Sequence, residues 1–198
     1  MAIVTPLRRT AIIVRDMERS LRFYRKVLKL DIWHQGEVGP DNVAMHALLG
    51  APPGTVRYVI LQSGKVEWGM VGLFELQDPP APELSGRAAH RARRGEACLV
   101  FHTPDVRRIH RGAKSMGLEV LCAPTRLVLP AHGLESLEMT IRDPNGVLLN
   151  FIQNIRGGLG PQNLFPGIKR AANSGKKTAV VQKNKAPRSK PVSTLKTK

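Results

Sequence analysis

The sequence predicts an α+β protein of two tandem β-α-β-β-β modules followed by a basic tail. Three observations carry this expectation. A strand–cap–helix–strand pattern returns after 89 residues, a Pro- and Arg-rich stretch separates the copies, and the charge of residues 166–198 differs from that of the rest. The composition agrees, since 42% hydrophobic and 23% charged residues with a mean hydropathy of −0.19 are ordinary for a globular protein. A chain of 198 residues is also long enough to bury a core.

The first copy opens with the β-branched run Thr10–Val14, a strand pattern. Asp16 stands at the N-cap of an amphipathic helix predicted over Met17–Leu28, with Met17, Leu21, Tyr24, Val27 and Leu28 at helical spacing. A strand follows over Asp31–Gln35, then a Gly- and Pro-containing loop over Gly36–Gly54, then strand-like segments over Tyr58–Leu61 and Met70–Leu76. The second copy repeats the order: strand Leu99–Phe101, cap Asp105, helix Val106–Met116, turn and strand Gly117–Leu121, and strands Leu137–Arg142 and Val147–Gln153. Between the last two, Asp143-Pro144-Asn145-Gly146 has hairpin-turn chemistry. Modules are thus expected over about 6–77 and 96–155, with a linker over 78–95. A single module would leave one sheet face open, so the two must combine.

Charge and cysteine usage narrow the class. Ten of the 31 Lys+Arg and none of the 15 Asp+Glu fall in 166–198, a stretch without Phe or Trp. Residues 156–198 are therefore expected to be a disordered basic tail, either a solubilising extension or a weak, nonspecific binder of nucleic acid or anionic surfaces. No apolar run approaches the roughly 18 residues of a membrane span, so no membrane insertion is expected. The opening Met1–Arg9 lacks the order of a secretory signal, and two cysteines make a disulfide framework improbable; a cytoplasmic protein is expected.

Two phrases resemble the vicinal oxygen chelate superfamily of glyoxalase I, bleomycin-resistance proteins and extradiol dioxygenases. They are Ile13-Val14-Arg15-Asp16-Met17-Glu18-Arg19-Ser20-Leu21-Arg22-Phe23-Tyr24-Arg25-Lys26-Val27-Leu28 and Arg142-Asp143-Pro144-Asn145-Gly146-Val147-Leu148-Leu149-Asn150-Phe151. The resemblance implies a cup of two curved sheets with the ligand held inside. In metal-dependent members it places one ligand on each of four strands, usually His, Glu, His and Glu. The corresponding positions here are Arg9, a site near Gly72, Cys98 and Asn150. Arg does not coordinate, Gly has no side chain and neutral Asn is a poor divalent ligand, so no metal and no cofactor are expected. Glu75 is the nearest carboxylate to Gly72, but alternation turns it to the other face.

Alternation also gives the expected lining: Arg9, Ala11 and Ile13; Met70, Gly72 and Phe74; Cys98, Val100 and His102; Leu148, Asn150 and Ile152. Of these, Arg9, Ile13, Phe74, Val100, Leu148 and Asn150 are the candidate substrate-binding residues. Trp33 joins them from the edge of the Gly36–Gly54 loop, read as a lid. Arg9 reads as a clamp for a carboxylate or enolate oxygen, or as a solvated partner of Arg8. Cys98 reads as a nucleophile if Arg9 lowers its pKa, or as a small buried thiol. His102 reads as an acid–base group or as a structural strand-end histidine. The other histidines are placed in loops, linker or helix. Two functions fit: a metal-independent lyase or isomerase acting on a small oxygenated substrate with Cys98 and His102, or non-catalytic sequestration of a drug or metabolite. The second reading predicts an aromatic-rich groove shared across a homodimer.

Overall fold

The computed structural model describes residues 5–82 and 95–157. Residues 83–94 of the predicted linker, and the predicted tail from residue 158 onward, lie outside the described residues. The first module runs β1 (Arg9–Val14), α1 (Met17–Leu21, continued by a wider turn over Arg22–Val27), β2 (Asp31–Val38), α2 (Val43–Leu49), β3 (Thr55–Ser63) and β4 (Val66–Asp78). The second runs β5 (Cys98–His102), α3 (Val106–Ser115), β6 (Val120–Leu129), a 3-10 turn (Pro130–His132), β7 (Leu134–Arg142) and β8 (Leu148–Arg156). Two four-stranded sheets result, ordered β1-β4-β3-β2 and β5-β8-β7-β6. β1 pairs with β4, and β5 with β8, in parallel; the other pairs are antiparallel. Among the described residues no helix is long and apolar enough to cross a membrane.

The repeat is visible atom by atom at the helix starts. Asp16 Oδ1 accepts from Arg19 N at 2.8 Å, and Asp105 Oδ1 from Arg108 N at 2.9 Å. The first helical N–H is also satisfied from the module's own last strand: Met17 N donates to Glu75 Oε1 at 2.8 Å, and Val106 N to Gln153 Oε1 at 2.9 Å. Glu75 therefore works on the helix side of the sheet, as alternation requires. The helices then diverge. After Leu21 the first widens into π geometry, Leu28 N reaching back to Phe23 O at 3.1 Å, and this seats Phe23 and Tyr24 together in the core at 0% exposure each.

Two local expectations are corrected. The stretch read as a bare lid loop contains α2, capped by Asn42 Oδ1 accepting from Met45 N at 3.0 Å and closed by Gly50 at φ 64°. His34, read as a loop residue, lies in β2, and His46 is buried in α2 with Nε2 3.1 Å from Gly39 O.

One apolar cluster spans both modules. Ile12, Val14, Met17, Phe23, Tyr24, Leu61 and Leu73 of the first join Val106, Ile109, Ala113, Met139, Leu149 and Phe151 of the second. The helices approach closely at Gly112, where a Cβ would stand 2.6 Å from Val27 Cγ1, so only glycine admits the contact. The Asp143–Gly146 turn seals the seam. Tyr24 Oη donates to Asp143 Oδ2 at 2.9 Å, Asn145 Nδ2 donates to Ser20 Oγ at 3.1 Å, and Arg15 N donates to Asn145 Oδ1 at 3.3 Å. Asp143 Oδ1 also accepts from Asn145 N at 2.8 Å and Val147 N at 2.7 Å. Behind the turn, buried Arg142 donates to Gly146 O at 2.9 Å and pairs with Glu96 and Glu119.

Tyr24→Phe leaves a buried carboxylate one donor short. It is expected to cost about 1–3 kcal/mol of unfolding free energy in urea denaturation, because the desolvated partner loses its bond without regaining water. An unchanged midpoint would mean that the modules do not depend on this bond.

Burial pushes the Asp143 carboxyl above its ordinary value, against the pull of hydrogen bonds from Val147 N, Tyr24 Oη and Asn145. A carboxyl whose folded pKa exceeds its unfolded one binds protons more readily when folded. Its contribution to stability therefore grows as pH falls through the window between the two values, and is least at neutrality. The stability of the wild type relative to Asp143→Asn should accordingly rise as pH is lowered from neutrality into the carboxylate range. A difference that stays flat or falls across a series of urea titrations contradicts this.

Candidate functional site

With one face of each sheet committed to the helices, the opposite face is left for function. Along β1, Ile12 and Val14 turn to the core at 6% and 2% exposure, while Arg9, Ala11 and Ile13 are exposed on the other side. The register then assembles rows across the strands. In the first module Ile13, Phe74, Tyr58 and Gly36 lie side by side. The corresponding row of the second is His102, Ile152, Glu138 and Thr125. The next row along is Ala11, Gly72, Ile60 and His34 in one module and Val100, Asn150, Thr140 and Cys122 in the other. A third row pairs Arg9 with Met70 in one module and Cys98 with Leu148 in the other.

The two faces carry different chemistry. In the first module the Arg9 guanidinium lies 5.8 Å from the Phe74 ring centre, Phe74 stacks on Tyr58 at 6.1 Å, and Tyr58 Oη lies 3.0 Å from His34 Nε2. Gly72 makes this possible, since a Cβ there would stand 2.9 Å from Phe74 Cε2 and 3.0 Å from Arg9 Cδ. Trp33 is 42% exposed beside the register shift of β2 and shares the Arg8 guanidinium with Trp68, at 5.8 and 5.5 Å. In the second module Asn150 Nδ2 is 3.3 Å from Thr140 Oγ1 and 3.5 Å from Glu138 Oε2, while Ser136 Oγ donates to Glu138 Oε1 at 2.7 Å. Val100 is open at 58% exposure, Leu148 is buried, and the buried Nδ1 of His102 has no hydrogen-bond partner among the described residues.

Cys98 is exposed, and its thiol is pushed up by burial of part of its surface and by the Glu96 charge, against a backbone hydrogen bond from Asn150. No arginine contributes. The activating role considered for Arg9 therefore has no counterpart around Cys98, since a raised thiol holds less thiolate at neutral pH. Tyr58, Glu138 and Thr140 belong to the face and were assigned no site role in the sequence, and His34, read as a loop residue, joins them there. Their signal was present for the second module, because Leu137, Met139 and Ile141 alternate with Ser136, Glu138 and Thr140.

The residues present do not fit a divalent metal. The Arg9 guanidinium is a cation stacked on Phe74, a side chain at Gly72 would collide with that stack, and the Asn150 amide donates to three neighbouring oxygens. Among the described residues no three His, Cys, Asp or Glu side chains gather into a ligand set.

The model of the Glyoxalase/Bleomycin resistance protein/Dioxygenase superfamily matches residues 7–151. The chain belongs to this superfamily. Solved structures resemble this superfamily member at low identity. A glyoxalase family protein from Bacillus cereus is 15% identical with a TM-score of 0.63, over 78% of this chain and 98% of its own. A glyoxalase I mutant from Zea mays is 17% identical with a TM-score of 0.54, over 75% of this chain and 44% of its own. An antibiotic binding protein from a Streptomyces species is 14% identical with a TM-score of 0.49, over 78% and 99%. No curated protein matches the chain. At these identities the likeness shows the fold alone.

The substitution of all four ligand positions leads to an elemental prediction. Dialysed, untagged protein is expected to carry no stoichiometric Zn, Ni, Mn or Fe by plasma mass spectrometry. About one ion per chain would overturn the reading of Arg9, Gly72, Cys98 and Asn150.

Proposed function

We propose that the sheet face binds a small, flat, oxygenated anion and acts on it by metal-independent proton transfer, as a lyase or isomerase. The observation that supports this is the contrast between equivalent rows. Ile13–Phe74–Tyr58 in one module is apolar and aromatic, whereas His102–Ile152–Glu138 in the other brackets an apolar floor with two groups able to exchange protons. Two strand spacings put His102 and Glu138 about 10 Å apart along the row, room for a ligand between them. In this reading Arg9 holds a carboxylate or enolate oxygen over the aromatic row. Ile13, Phe74, Val100 and Leu148 supply apolar walls, Asn150 directs its free Oδ1 to the ligand, and Trp33 covers the rim. His102 and Glu138 act as the acid–base pair, and Cys98 lines the pocket as a thiol rather than attacking.

Binding without turnover is the second reading. It is favoured by the openness of the face and the aromatic run Trp33, His34, Tyr58 and Phe74.

One experiment separates the two. Phenylpyruvate, a flat 2-oxo acid, is titrated by tryptophan fluorescence, and exchange of its benzylic protons in D2O is followed by NMR. Arg9→Lys should weaken binding about tenfold or more, since a point charge cannot replace the planar fork. Arg57→Lys, on the helix side beside Glu18, should not. His102→Gln and Glu138→Gln should keep binding and lose about 100-fold or more of the exchange rate. Binding with no exchange above buffer leaves sequestration, and equal small effects at Arg9 and Arg57 would refute the assigned face.

A further inference from the structure

The outward side of the helix pair has its own pattern. Two grooves, of about 460 and 370 Å³, follow the seam between the first and third helices. One is lined by Arg19, Arg22, Lys26, Val27, Ser115 and Met116, the other by Lys26, Val27, Arg108, Arg111, Gly112 and Ser115. The start of one helix thus faces the end of the other, and the grooves are the two halves of one antiparallel seam sharing Lys26, Val27 and Ser115. Five cations line it and no carboxylate does. All five are exposed, and none forms an ion pair among the described residues, although Arg8, Arg57, Arg126 and Arg142 elsewhere all do.

The arrangement is also doubled. The 89-residue repeat that sets Asp16 on Asp105 sets Arg19 on Arg108, Arg22 on Arg111 and Arg25 on Lys114. Positions 19 and 22, or 108 and 111, are three apart and so share one helix face. Like charges gathered without counter-charges repel, and an anion bound among them relieves that repulsion. We propose that this seam is a docking surface for the phosphate backbone of a nucleic-acid duplex.

The chemistry favours this occupant over other polyanions. Four of the five cations are arginines, whose planar forks match phosphate oxygens in pairs. No aromatic side chain lines either groove, so there is no platform for unstacked bases, and a duplex read through its phosphates without sequence preference is the form that fits. The only large apolar residues in the lining, Val27 and Met116, are half-buried against the core, so the surface has nothing to insert into a bilayer. Ten further basic residues and no acid in 166–198 extend the same charge along the chain. The surface is separate from the proposed ligand face and does not depend on it.

The test uses the full chain and a fluorescein-labelled mixed-sequence 20-base-pair DNA duplex, with anisotropy measured over a range of NaCl. Arg19→Gln/Arg22→Gln/Arg108→Gln/Arg111→Gln should lower the slope of log Kobs against log salt by about three to four, four phosphate contacts at roughly 0.9 each. The corresponding quadruple Arg→Lys variant should keep most of that slope, which shows that lost charge and not lost folding is responsible. A second full-chain variant, Lys176→Gln/Lys177→Gln/Lys183→Gln/Lys185→Gln, measures the tail. If it abolishes binding while the helix-face variant leaves affinity and slope unchanged, the seam is not the docking surface. Competition decides the partner: unlabelled duplex should displace the probe at a lower concentration of anionic charge than phosphatidylserine vesicles or poly-glutamate. Equal or better displacement by either rejects the duplex assignment.

Discussion

The architecture depends on one geometric constraint: neither module has enough helix to cover its own sheet. Four strands at roughly 4.8 Å spacing span about 14 Å, more than the roughly 10 Å width of one helix. Setting the two helices side by side closes the gap, and the core becomes a single cluster drawing on both modules. Close approach at Val27 and Gly112 makes this possible, and it also brings the Asp143–Gly146 turn onto the other module's helix. The buried Tyr24–Asp143 bond follows from that seam. A tyrosine large enough to fill the junction brings a hydroxyl that needs an acceptor, and the turn needs a carboxylate to satisfy its own amides.

The same constraint explains why the two copies agree in some places and not in others. Residues that hold the frame keep their chemistry. Asp16 and Asp105 cap, Glu75 and Gln153 accept from the first helical amide, and Ile12 and its counterpart Phe101 stay apolar against the core. Residues on the free faces have no packing partner to preserve, and they diverge. Arg9 stands opposite Cys98 in the repeat, Ile13 opposite His102, Gly72 opposite Asn150 and Phe74 opposite Ile152. Duplication supplied the lattice, and divergence on its open side supplied two unlike sheet faces.

What was legible in the sequence follows the same division. Caps, the two repeated helices, the order of elements along the chain and the alternation along the first strand were readable, because burial on one face imposes alternation and a helix start needs its cap. The second helix was hidden by Gly39, Pro40, Gly50, Pro52 and Pro53, which read as loop chemistry although Asn42 and Gly50 were its boundary signals. The strand over Val120–Leu129 outruns its predicted end because it is largely exposed, and an exposed edge strand has no alternating burial to reveal it. Tyr58 and Glu138 escaped for another reason. The resemblance places ligands only on the first and last strands of each module and assigns no role to the strand paired with the last one, where the first module has its aromatic stack and the second its carboxylate. The tuning of Cys98 was beyond the sequence, since it comes first from burial of part of the thiol and only then from its hydrogen bond and the Glu96 charge, all set by the fold.

Two surfaces on opposite sides of one core need not compete. The apolar sides of both helices are spent on the sheets, so whatever charge the helices carry must face outward. That accounts for exposure but not for sign. A helix face that only needed solvent would do as well with alternating charges, which support one another at spacings of three and four. Here two groove-lining positions, Arg19/Arg108 and Arg22/Arg111, are basic in both copies, while nearby carboxylates are occupied: Asp16 and Asp105 cap their helices, and Glu18 pairs with Arg57. The sheet faces diverged, and on the helices Glu18 became Arg107 and Lys26 became Ser115, yet Arg19/Arg108 and Arg22/Arg111 kept their charge, and a shared demand at those positions is the simplest physical reason for it.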